Sequence, residues 1–183
     1  MAQKKLRLIS LFYSTTADPA ERDRLVVLKQ VCDEIKIAKN YIINLIHWKQ
    51  DVGSALGIAS GQDSIDNLIG TDYDIYFGTL GASFGYGVVH EYEMAIKSHV
   101  KNWRPAEMIF GFDVTPINPF LVPDSFASVK KFKTRIVDPD EYGRVMLYFE
   151  FKSLEEFRQR AFTSLSQAID RIDEMIIGGA HIV

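Results

Sequence analysis

Five apolar runs alternate with helical patterns along nearly the whole of this chain, and that order constrains the fold more than any single residue does. Successive strand–helix units build a mostly parallel sheet, because a parallel return needs a crossover long enough to hold a helix. The runs near 5–13, 41–48, 73–80, 106–113 and 143–151 read as strands, and the patterns near 19–37, 61–70, 88–102, 124–136 and 154–176 as helices. The prediction is a doubly wound α/β fold with helices on both faces of the sheet. Right-handed crossovers place the first strand inside the sheet, with Leu6 to Phe12 beside Asp74 to Leu80.

Two helix starts carry explicit signals. Asp18 as N-cap, Pro19 at the first helical position and Glu21 at the third predict a capping box for the helix near 19–37, which makes Glu21 a structural residue. Ser153 with Glu156 predicts a second box for the last helix, whose Leu154, Phe157, Ala161, Leu165, Ala168, Ile172 and Met175 fall on one stripe at helical spacing.

Composition narrows the function classes. With 183 residues, 47% of them hydrophobic, the chain can bury a substantial core, and one domain over 1–177 with a tail or linker start at 178–183 is expected. A net charge of -3 offers no basic field for nucleic acid, and Lys130-Lys131-Phe132-Lys133 reads as the solvated face of a helix. Cys32, the single cysteine, stands among Leu25, Leu28, Val31 and Ile35 as a small buried hydrophobe, which excludes an intrachain disulfide and fits a reducing cytoplasm. The first apolar run is broken by Arg7 and Ser10 and is too short for a bilayer span, so no membrane partner is expected. His47, His90, His99 and His181 lack metal-ligand spacing, and no serine sits in a G-x-S-x-G elbow; neither a metal nor a serine hydrolase is predicted.

The candidate chemistry lies where Tyr73-Asp74-Ile75-Tyr76-Phe77-Gly78-Thr79-Leu80-Gly81 is followed by His90-Glu91-Tyr92-Glu93-Met94-Ala95. An apolar strand runs into glycines, and the next helix carries an acid read as lying on its first turn. That arrangement holds a carboxylate at the carboxyl end of a strand, where open α/β sheets bind ligands. Taken alone, the same acid is also what a helix N-terminus favours through its macrodipole. Glu93, two residues on, faces away and is expected to pair with Lys97 on the exposed side.

Four blocks in order carry a family resemblance: Phe12 to Arg22; Trp48 to Gly57 with Gln62 and Ile65-Asp66; Tyr73 to Gly85 with Glu91 to Ala95; and Met108 to Phe112 with Ser153 to Arg158. Together they resemble the TIR-like domain of unknown function often found at the N-terminus of bacterial signalling NTPases of the STAND type. The resemblance spans nearly the whole chain; each motif is loose, and their order and spacing give it weight. It implies a flavodoxin-like sheet of about five mostly parallel strands in order 2-1-3-4-5, as in TIR domains and nucleoside deoxyribosyltransferase-like proteins. Many TIR domains cleave the nicotinamide–ribose bond of NAD with a glutamate on the third helix. Glu91 aligns with that glutamate, with the small residue Ala95 four positions later. Related sequences often carry Ser-Gly-Thr before the acidic helix, where this chain has Gly85-Tyr86-Gly87-Val88-Val89.

In that fold the crevice lies between the carboxyl ends of strands one and three. Glu91 is the expected catalytic residue, with Tyr13, Ser14, Thr15, Thr16, Trp48, Thr79, Gly81 and Ser83 as substrate-binding candidates and NAD as substrate rather than bound cofactor. A carboxylate there stabilises the positive charge that builds on ribose as an N-glycosidic bond breaks. The plainer readings stay open: hydroxyls that lead into a helix cap, glycines that end strands, Trp48 and Tyr13 as core rim. The resemblance implies a role in bacterial antiphage defence, self-association and a downstream NTPase domain or partner. The rival expectation is a non-catalytic interaction module of the same fold.

Overall fold

The computed structural model describes residues 7–16, 18–47, 72–81, 85–116, 126–138 and 146–177. Within them lie strands β1 (Arg7–Thr15), β2 (Tyr41–His47), β3 (Ile75–Leu80), β4 (Glu107–Asp113) and β5 (Leu147–Phe151). The helices are α1 (Glu21–Lys39), α2 (Tyr86–Asn102), α3 (Phe126–Val137) and α4 (Leu154–Ile177). The predicted helix near 61–70, the loop before it and the 178–183 tail lie outside the described residues.

All five strands pair in parallel, in the order β2-β1-β3-β4-β5. This is the doubly wound α/β fold: the chain winds one way from β1 to β2, then crosses back to β3 and proceeds outward on the other side. Leu11 stands opposite Ile75 and Ser14 opposite Gly78, so β1 and β3 are neighbours and their carboxyl ends flank the reversal.

Every residue of β3 is buried, and so are six of the seven in β4, as expected for central parallel strands covered on both faces. Alternation along the strands then sorts side chains into two cores. Leu11, Tyr13, Phe77, Ile109 and Phe149 point toward α1 and α4, where they meet Leu28, Ile35, Phe157 and Leu165. Phe12, Tyr76, Phe110 and Phe112 point to the other face, where Tyr92, Ile96 and Phe132 of α2 and α3 cover them.

The two predicted caps fare differently. At the start of α4, Ser153 Oγ accepts the Glu156 N–H at 3.2 Å while Glu156 Oε2 accepts the Lys152 N–H at 2.7 Å, a box that reaches one residue further back than the standard form. The box predicted for α1 does not form. Asp18 Oδ1 accepts the N–H of Ala20, two residues on, and its Oδ2 accepts from Arg24 at 2.6 Å and from Thr16 Oγ1 at 3.0 Å. The helix therefore begins at Glu21 with Ala20 as its N-cap and no side-chain cap bond. Glu21 turns inward, with Oε1 3.5 Å from Nε2 of the buried His47. Asp18 is engaged by the Arg24 guanidinium and Glu21 turns to the interior, so the two side chains that would close the box are held elsewhere.

Candidate active site at the strand ends

Consecutive residues of a strand face opposite sides, so the carboxyl end of β1 serves both layers of the molecule. Ser14 opens toward α2, while Tyr13 and Thr15 open toward α1. The residues singled out from sequence are accordingly divided by the sheet between two polar clusters.

On the α2 side, Ser14 Oγ donates a hydrogen bond to Glu91 Oε2. Ser14 is wholly buried and Glu91 is 7% exposed. Glu91 is the sixth residue of α2, in its second turn, because the helix starts at Tyr86 from an N-cap at Gly85; no acid occupies the first turn. The expectation of an acid on the first turn is thus corrected: the carboxylate lies beyond the turn where the macrodipole acts and accepts the Ser14 bond. Gly85 matters here: a Cβ at that position would stand 2.4 Å from Thr16 Cγ2, so a larger residue would force Thr16 or the helix start to shift.

Two phenols complete this side. Tyr76 donates its hydroxyl hydrogen to the Val88 carbonyl at 3.1 Å, and both Tyr73 and Tyr76 are buried. Their pKa values lie above the ordinary tyrosine value, first because burial disfavours the phenolate and second because the Glu91 charge repels it. Both rings therefore stay protonated in the neutral pH range. Glu93 faces outward as expected, but its Oε1 accepts from both terminal nitrogens of Arg135 on α3 at 3.2 Å, not from Lys97 within its own helix. A planar guanidinium holds a carboxylate with two donors where a lysine offers a point charge.

On the α1 side the hydroxyls form a chain. Thr79 Oγ1 donates to Thr15 Oγ1 at 2.7 Å and lies 3.1 Å from the Tyr13 hydroxyl. Arg24 reaches Thr15 Oγ1 at 3.3 Å and Asp18 Oδ2 at 2.6 Å, with Asp113 at 4.0 Å. Burial raises the Tyr13 pKa, and the nearby Arg24 charge opposes that rise. The Tyr13 and His47 rings stack at 5.7 Å. Gly81 abuts the same group: a Cβ there would lie 3.4 Å from Asp18 Oδ2.

The structure thus brings Glu91 together with Ser14, and Tyr13 with Thr15 and Thr79, while Thr16 and Gly81 adjoin Asp18. Trp48 and Ser83 lie outside the described residues. Arg24, Asp113 and His47 belong to this end of the sheet and were not singled out from the sequence. For Arg24 a signal existed. It stands in register with Leu28, Val31 and Ile35, on the stripe that α1 buries, and a charged residue there at 1% exposure must find partners inside.

Among the described residues, no three His, Cys, Asp or Glu side chains converge to hold a metal ion. No described helix is long and apolar enough to cross a membrane. Chemically, the α2 side offers one buried carboxylate with a hydroxyl donor and two neutral phenols. That set can stabilise a developing cation or accept a hydrogen bond from a sugar hydroxyl.

No family model matches the chain. No curated protein matches it either. Among solved structures, a fragment named as a candidate lipoprotein of Peptoclostridium difficile 630 is similar over 89% of this chain and 98% of its own, at 11% identity and a TM-score of 0.44. Rubredoxin oxygen:oxidoreductase from Desulfovibrio gigas is similar over 90% of this chain and 37% of its own, at 10% identity and a TM-score of 0.44. The TIR domains of the activated Roq1 resistosome, which directly recognizes the pathogen effector XopQ, are similar over 92% of this chain and 99% of theirs, at 13% identity and a TM-score of 0.40. All three scores fall below 0.5.

Proposed function

We propose that this chain is a TIR-like effector domain that cleaves the N-glycosidic bond of NAD or a related nucleotide, with Glu91 as the catalytic residue. The observation that carries the reading is the position of Glu91: a buried carboxylate, fixed by Ser14, where β1 and β3 end on either side of the sheet's reversal. Ligands of open α/β sheets bind outside the carboxyl ends of the strands at this reversal. As the bond from ribose to the base lengthens, positive charge collects on the sugar, and a carboxylate already in place stabilises it without reorganisation. The base leaves with the bonding electron pair; water adds to the sugar and gives up a proton. Tyr73 and Tyr76, held neutral, supply apolar walls and no competing negative charge.

The family resemblance supports the rest of the proposal: cytoplasmic location, activity that depends on self-association, and a downstream NTPase domain or partner in bacterial defence. The direct test is to incubate concentrated or artificially clustered protein with NAD and to chromatograph the mixture for free nicotinamide. Release well above a protein-free control is expected.

A second reading, the non-catalytic interaction module, draws on the same carboxylate. Glu91 is 7% exposed and engaged by Ser14, which suits a structural acid as well as a catalytic one. Tyr86 and Trp103, both exposed, stand at the two ends of α2 as apolar surface for a partner. Absence of nicotinamide release under every clustered condition would favour this reading.

A further inference from the structure

We infer that Ser14 is a positioning residue for Glu91: its Oγ–H fixes one carboxylate oxygen at the strand ends. The inference deepens the N-glycosidase reading and rests on it for its catalytic consequence. Ser14 sits in β1 opposite Gly78 of β3, with no exposed surface, so its hydroxyl is aimed by the sheet and not by a mobile loop. The hydroxyl has one proton to give, and it goes to Glu91 Oε2. Giving that proton to a substrate acceptor would break the bond to Glu91, whereas the Oγ lone pairs can accept without disturbing it. Leaving it intact keeps Glu91 in one rotamer.

The surroundings make this donor matter. Burial disfavours a carboxylate, and a hydrogen bond to the charged form is what opposes that cost. Tyr73 and Tyr76, from the β3 side, both respond to the Glu91 charge as to a repulsive neighbour. Tyr76 donates to the Val88 carbonyl of α2 and also engages Ser14, while on α2 His90 is exposed and Glu93 is engaged by Arg135. Arg24 lies on the other face of the sheet with Thr15 and Asp18. Ser14 is thus a hydroxyl donor that the sheet itself supplies to this acid.

The experiment is a carbon-detected NMR titration of the Glu91 side chain in the parent, Ser14→Ala and Ser14→Thr proteins, followed by pH–rate profiles of nicotinamide release. In Ser14→Ala the Glu91 titration is expected to move upward by about one pH unit, since one hydrogen bond to the charged form is lost. Ser14→Thr, which keeps the hydroxyl, is expected to return it most of the way. The acidic limb of the rate profile should move with it, with kcat down about tenfold or more and KM little changed. If Ser14→Ala does not fold, Ser14→Cys takes its place, its weaker donor giving a smaller upward shift. An unchanged Glu91 titration in the folded variant overturns the inference. Failure of the parent to release nicotinamide overturns the N-glycosidase reading instead, and the NMR titration still decides the role of Ser14.

Discussion

Cys32 and Arg24 show how burial on one helix stripe produces opposite chemistry. The Cys32 thiol is pushed up to about 12 from 9.0, mainly by burial and then by the charge of Asp33. In the unfolded chain the thiol would lose its proton near its ordinary value, while the folded chain keeps it until about 12. Folding stability is therefore unaffected by this group below about pH 9 and falls as pH rises from there to about 12. Denaturant melts at stepped pH should show that decline, and Cys32→Ala should make it shallower. A disulfide-exchange reagent at pH 8 should label the thiol only on unfolding.

Arg24 answers burial with partners instead. Replacing it by Met keeps the apolar stem and removes the donors to Asp18 and Thr15. The expected loss is about 1–3 kcal/mol, because Asp18 keeps partial access to water and can recover some solvation. Thermal melts check it; an unchanged melting temperature would mean that the ion pair does not organise the turn into α1. Residue by residue, legibility in the sequence did not follow distance along the chain, since Ser14 and Glu91 meet across 77 residues and Asp18 and Arg24 across 6. Glu91 and Ser14 could be named because strand and helix patterns place both at one end of the sheet. Arg24 as the captor of Asp18 could not, since a local cap signal contains no information about a guanidinium two turns of chain away.

Among the elements, the strands were legible because β3 and β4 are apolar on both faces, a pattern that central parallel strands require. The helix ends were harder. The helix bearing Glu91 starts two residues earlier than its sequence suggests, since Gly85 and Gly87 read as loop, yet Gly87 is helical and Gly85 is needed beside Thr16. The last helix was the plainest element. Its Phe157 packs edge-on against Phe77 at 6.2 Å and against Phe151 at 5.0 Å, and Leu165 is fully buried in the same core. Truncating either to Ala is expected to cost about 2–5 kcal/mol, the range for a large side chain lost from a core. Melts of both variants within a degree or two of the parent would show that α4 does not seal this face as described.

For the molecule as a whole, a parallel sheet with β1 inside it beside β3 followed from the alternation of strands and helices, because right-handed crossovers leave few ways to return to one sheet, and the full order followed from the family resemblance. What that reasoning did not reveal was the division of the candidate residues by the sheet itself. Which of Tyr13, Ser14 and Thr15 faces α2 depends on the phase of β1, and packing against two layers sets that phase. The α2 layer received the carboxylate; the α1 layer received the guanidinium. If the α2 side is the reacting side, Glu91→Gln should abolish turnover while the fold survives, since the amide keeps the shape and removes the charge. Glu93→Gln should leave turnover nearly unchanged, because its half-exposed pair with Arg135 is worth at most about 1 kcal/mol. The decisive measurement is nicotinamide release from NAD by clustered parent, Glu91→Gln and Glu93→Gln proteins, compared side by side. Release by the parent and Glu93→Gln and none by Glu91→Gln is expected; equal release by the parent and Glu91→Gln would overturn the catalytic role of Glu91.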